Sequence, residues 1–200
     1  MSKTKKDIKK YVVFFIGTLI FSFGISFGNR SLFGGNSMAV LVVGISKHIN
    51  LSIGTCNLIV ATFEIIIGYL LDKKNVTYIS VIAMVIGSYL IDFANIFVQP
   101  TNDMITRFIY MGLGILFYTL GLGMQQYASI GYGNLDCFIF GLKKAFNIQK
   151  YHTIKWAVDA ACIIGGYFLG AEVGVGTLLL LLFAGVLIET FKELTQKVLG

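Results

Sequence analysis

Long apolar runs separated by short polar joints dominate the chain. Runs able to cross a bilayer, which takes about 20 mainly apolar residues, fall at Tyr11–Phe27, Leu51–Leu71, Val76–Val98, Phe108–Gln125, His152–Leu169 and Gly174–Thr190. Two shorter apolar pieces, Ser37–Ser46 and Leu135–Leu142, each follow a glycine-rich stretch, residues 28–36 and 128–134. The pattern predicts an all-α integral membrane protein, a helical bundle in one transmembrane domain over residues 1–200. Counting both short pieces gives about eight membrane segments, two of them opened by broken, non-helical backbone.

The single proline, Pro100, sits at the midpoint in a polar turn, Gln99-Pro100-Thr101-Asn102-Asp103. Across it, Gly17, Gly24, Gly34, Gly44 and Gly68 match Gly114, Gly121, Gly131, Gly141 and Gly165 at a constant offset of 97 residues. Lys47, Asn50 and Asp92 meet Lys144, Asn147 and Glu189 at the same offset. An internal duplication is the reading, with repeat 1 over residues 11–98 and repeat 2 over 104–195. If every segment crosses, each repeat holds an even number of spans. The repeats are then tandem and parallel, related by an axis along the membrane normal.

Composition strengthens the membrane assignment. Hydrophobic residues make up 56% and charged residues 13%, with a mean hydropathy of +0.79. A soluble domain carries about 25% charged residues. The net charge of +6 gathers at segment ends, as in Lys3, Lys5, Lys6, Lys9 and Lys10, and basic ends are retained in the cytoplasm. With eight crossings both termini are cytoplasmic. Lys47, Arg107, Lys143, Lys144, Lys150, Lys192 and Lys197 then lie inside, and Arg30, Asp72, Lys73, Lys74 and Glu172 outside. Lys73 and Lys74 are the exceptions to the rule; if the short pieces are instead re-entrant, Lys47 and the Lys143–Lys150 cluster move outside, which fits the rule less well. Basic stripes interleaved with aromatics are absent, so nucleic acid is not an expected partner.

The glycine-rich segments resemble those of the YitT/YczE family of bacterial membrane proteins. Gly131-Tyr132-Gly133-Asn134-Leu135-Asp136, Gly141-Leu142-Lys143 and Gly174-Val175-Gly176-Thr177 carry the likeness in the second half. Gly34-Gly35-Asn36-Ser37, Gly44-Ile45-Ser46 and Leu51-Ser52-Ile53-Gly54 carry it in the first. Asn75-Val76-Thr77 and Gln149-Lys150-Tyr151 depart from the pattern. The resemblance covers nearly the whole chain and implies a helical protein of the bacterial plasma membrane, presumed to transport something.

Acids inside the hydrocarbon region are costly unless paired or hydrated, which marks Glu64 and Asp159, each well inside a span, as site candidates. Half-helix N-termini at the breaks expose free N–H groups and positive dipole ends. Asn36 and Asn134 stand at the N-cap positions there, with Asp136 close behind. Arg30 in the first break is either a headgroup contact or an inward counter-ion to Glu64, and Gln125 ends a span at the matching place in the second half. The expected ligand-binding set is therefore Arg30, Asn36, Glu64, Gln125, Asn134, Asp136 and Asp159. Lys155 reads as part of a cytoplasmic basic face, and Trp156, Tyr151 and His152 as an aromatic belt.

Cys56, Cys137 and Cys162 lie in apolar runs and read as packing residues. His48 and His152 lack ligand-spaced partners, so neither a metal nor another cofactor is expected. The catalytic signatures HExxH, GxSxG and the P-loop are missing, so no enzyme is expected. The expected function is a small transporter or permease that binds a small polar or zwitterionic solute between two pseudo-symmetric halves, with a coupling proton or cation. The alternatives are a substrate-binding membrane subunit of an ATPase-driven uptake system and a non-transporting scaffold. A homo-oligomer is a further possibility among partners.

Overall fold

The structure is a computed structural model that describes residues 3–199, with side chains from residue 8 onward except that of His152. Lys3, Lys5, Lys6 and His152, singled out above, lie outside the described side chains. Eight α-helices make up the described chain: α1 (Lys3–Ser31), α2 (Ser37–Ile49), α3 (Ile53–Leu71), α4 (Tyr78–Phe97), α5 (Met104–Ala128), α6 (Asn134–Ala145), α7 (Tyr151–Phe168) and α8 (Val175–Leu199). A short 3₁₀ turn, Lys73–Asn75, joins α3 to α4.

Five helices combine the length and apolarity of a membrane span: Ile8–Ser31 of α1, then α3, α4, α5 and α8. The run expected at His152–Leu169 forms the 18-residue α7. It falls outside this apolar group because Lys155 and Asp159 interrupt it. The short pieces become α2, of 13 residues, and α6, of 12. At 1.5 Å per residue these reach about 20 and 18 Å, well short of a hydrocarbon core of about 30 Å.

Polarity is distributed as lipid demands. Phe168 is 82% exposed and Leu182 69%, whereas Ser22 and Ser26 are fully buried. The hydroxyls on the buried face of α1 return their protons to their own helix: Thr18 donates to the Phe14 carbonyl and Ser22 to the Thr18 carbonyl, both at 2.9 Å.

The helices fall into two compact units. The first contains residues 1–36, 93–130 and 174–200, hence α1, α5, α8 and the end of α4. Glycines bring α1 and α5 to backbone contact. A Cβ on Gly17 would lie 2.8 Å from the Gly121 carbonyl oxygen, one on Gly24 2.7 Å from Tyr118 Cα, and one on Gly114 2.8 Å from the Gly28 nitrogen. Small residues at such crossings are how helices associate without a hydrophobic driving force. Partners descend along α5 as they ascend along α1, so the two helices are antiparallel. This corrects the parallel relation expected for the two halves, which requires α1 and α5 to run the same way. By contrast α5 and α8 run together, since Gly176 meets Met111 and Gly123 meets Phe191. At the far end of this unit Lys9 donates to the carbonyl of Leu199.

The second unit contains residues 37–92 and 131–173. Here α3 and α4 form an antiparallel hairpin, with Asp92 accepting from the Gly54 amide at 2.7 Å and from Ser52 Oγ. Two further pairs are parallel. In one, α2 lies along α7, Gly44 against Gly166. In the other, α3 lies along α6, Gly68 against Cys137 and Gly141.

Corresponding boundaries recur down the chain. α1 and α5 end at Ser31 and Ala128, α2 and α6 begin at Ser37 and Asn134, α3 and α7 end at Leu71 and Phe168, and α4 and α8 begin at Tyr78 and Val175. Each pair is 97 residues apart. The four described non-glycine residues with positive φ obey the same offset: Leu32 with Ser129, and Asn50 with Asn147.

Candidate functional site

The polar residues of the second unit gather where the short helices begin. Ser37, the first residue of α2, donates to Asp159 Oδ1 at 2.5 Å. Asn134, the first residue of α6, donates from its side chain to Glu64 Oε2. Asn134 therefore does not cap its helix as expected. Gly133 occupies the N-cap position, and the amide reaches across to α3 instead. Both acids sit near the middle of their helices and are buried, Asp159 at 4% exposure and Glu64 at 5%.

The two acids differ in compensation. Asp159 also holds an ion pair at 2.8 Å with Lys155, one turn earlier on α7. Among the described residues no cation pairs with Glu64, and its Oε1 is buried without a hydrogen-bond partner. Asp136, in the first turn of α6, accepts from the Tyr151 hydroxyl and lies within electrostatic reach of Glu64 and of Lys155. Cys162 lies within reach of Glu64, Asp159 and Lys155. Three carboxyls and one ammonium thus share a small region built from α2, α3, α6 and α7. Each hydrogen-bonded couple, Ser37–Asp159 and Asn134–Glu64, joins one residue from each half of the sequence.

A cavity of about 410 Å³ opens beside this region between α6 and α7, lined by Phe138, Leu142, Ile154 and Cys162 among others. Its walls are almost wholly apolar, so the polar residues stand next to it and do not line it. No cluster of metal-ligating side chains occurs among the described residues.

Of the residues expected at the site, Glu64, Asn134, Asp136 and Asp159 come together. Arg30, Asn36 and Gln125 belong to the first unit. Gln125 donates to Thr18 Oγ1 at 3.1 Å across the α1–α5 contact. Arg30 keeps its Nε buried without a hydrogen-bond partner, and Asn36 is half-buried directly before α2. Arg107 takes the structural part at this end of α1: its Nε donates to the Ser31 carbonyl at 2.9 Å and its guanidinium lies 5.0 Å from the Phe33 ring centroid.

Sequence reading missed Ser37, Tyr151 and Lys155. Lys155 carried a signal, since it precedes Asp159 by one helical turn, the spacing at which an ammonium meets a carboxylate. Ser37 and Tyr151 carried none, because their partners lie on other helices, Asp159 far along the chain and Asp136 on the preceding α6.

Apolar helices, lipid-suited surfaces and a buried polar cluster define an integral membrane protein. Residues 8–193 match a family of unknown function (DUF6198), and the chain belongs to that family. It is 28% identical over 194 residues to "Uncharacterized protein YyaS" of Bacillus subtilis, covering 94% of each chain. It is 20% identical over 185 residues to "Uncharacterized membrane protein YczE" of the same organism, covering 91% of this chain and 85% of the relative. An "Uncharacterized protein" of Haemophilus influenzae is 22% identical over 168 residues. The likeness to YczE agrees with the resemblance drawn from the glycine motifs. No solved structure matches.

Proposed function

We propose that the protein is a small membrane carrier whose polar cluster in the second unit binds a small polar solute bearing a cationic group. The observation that carries this reading is Glu64 Oε1, a buried carboxylate oxygen without a partner. A buried charge left uncompensated is expensive, and a fold that retains one has a use for it. At Asp159 the compensating group is the ammonium of Lys155. At Glu64 no described residue supplies the equivalent group, and an ammonium of the solute, or a coupling proton, fills its place. Asn134 fixes the carboxylate from one side, while Asp136 adds negative potential.

A thermal-shift screen of detergent-purified protein against amines, amino acids and other small zwitterions tests this, run beside Glu64→Gln and Asp159→Asn. A ligand that binds only the folded state raises the melting temperature. Stabilisation of the wild type that Glu64→Gln loses while remaining folded supports the carrier. If no compound stabilises the protein and Glu64→Gln melts like the wild type, the site is abandoned and the scaffold takes its place.

A further inference from the structure

We infer that the chain crosses the membrane six times as an inverted duplication, with α2 and α6 as half-length helices that begin near mid-membrane and leave on opposite sides. Parity supplies the first step. Because α1 and α5 are antiparallel, an odd number of crossings separates their starts. α1, α3 and α4 are long enough to cross, and α2 is not, which gives three. Because α5 and α8 are parallel, an even number separates theirs: α5 and α7 cross, and α6 does not. With α8 the total is six, which returns the two termini to one side, as the Lys9–Leu199 contact requires.

Ion pairs exclude eight crossings independently. Lys47 meets Glu172 at 2.9 Å and Lys144 meets Asp72 at 2.9 Å. Eight crossings place the members of each pair on opposite faces of the membrane, about 30 Å apart. Six crossings put Lys47 with Glu172 outside and Lys144 with Asp72 inside. Lys73 and Lys74 then join Lys143, Lys150, Lys192 and Lys197 in the cytoplasm, while Lys47 and Arg107 move outside, so one set of exceptions to the positive-inside rule replaces another and the ion pairs decide.

The depth of the short helices agrees. Ser37 bonds to Asp159 and Asn134 to Glu64, and each acid lies near the middle of a crossing helix. Both short helices therefore start at about half depth. α2 runs with α7, α6 with α3, and the offset of 97 residues relates α2 to α6 and α3 to α7. An inversion exchanges the two couples, so each is the counterpart of the other seen from the opposite face. This is the arrangement that inverted repeats give to sites at the bilayer midplane.

Single cysteines at His48, Lys74, Gln99 and Lys150, all exposed, test the topology with a membrane-impermeant thiol reagent on intact and permeabilised cells. The parent chain serves as background, since Cys56, Cys137 and Cys162 are buried. His48→Cys and Gln99→Cys should label in intact cells, and Lys74→Cys and Lys150→Cys only after permeabilisation. Labelling of Lys74→Cys with protection of His48→Cys in intact cells overturns the inference. Alkaline phosphatase and fluorescent-protein fusions truncated after residues 74 and 99 give the same decision without a folded full chain: phosphatase activity at 99 and fluorescence at 74 support it, and the reverse refutes it.

Discussion

The side-chain amide of Asn134 holds one oxygen of Glu64 and leaves the other buried without a partner. Removing the amide strands the carboxylate altogether. Asn134→Ala should therefore destabilise the protein by about 1–3 kcal/mol, the cost of an unsatisfied buried polar group. Pairing it with Glu64→Leu should recover much of that loss, because no charge then remains to be compensated. Melting in detergent checks both, and additive losses in the double variant would show that the two residues are uncoupled.

Asp159 is held by Ser37 and Lys155 together. Breaking a buried ion pair by deleting one member costs about 3–5 kcal/mol. Lys155 is more than a third exposed, so solvent reduces the effect. Lys155→Met should lower stability by less than that range, and by more than Ser37→Ala. Chemical denaturation of the three proteins ranks them. A neutral Lys155→Met would show that the pair contributes nothing to the fold.

The α1–α5 contact has no room for side chains. Gly24→Ala should separate the helices and reduce the yield of monodisperse protein sharply, because the added Cβ meets Tyr118 backbone. Gly112→Ala, on the same helix pair but with open space around it, should be tolerated. Size-exclusion profiles of the two variants distinguish a packing requirement from a general intolerance of α5 to change.

Asp72, at the end of α3, has its carboxyl held below the ordinary value of 3.8, chiefly by the hydrogen bond from Lys144. A depressed folded-state pKa contributes stability above the unfolded value, and that contribution is lost as pH falls through the folded one. The melting temperature should accordingly drop below about pH 4, and Asp72→Asn should remove part of that drop. The partner Lys144 is well exposed, so the change is small and shrinks with added salt.

The chain's amino acids by themselves determined the helical class, the membrane and the acids buried within its helices. Apolar length and scarce charge act locally, and an acid in hydrocarbon is conspicuous wherever its partners are. They also set the offset of 97 residues, visible in glycines before any helix boundary was known. Direction was another matter. The same spacing fits parallel and inverted halves alike, and the inference of inversion rests on the descent of α5 partners along α1 and on the Lys47–Glu172 pair. Tertiary packing likewise chose members of the cluster, because Ser37 acquires its meaning from a helix far away in sequence and Tyr151 from the way α6 folds against α7. Arg30 and Gln125 fall in the other unit for the same reason: a residue's depth in a span is written in its neighbours, but the face it turns and the helix it meets are set only when the bundle closes.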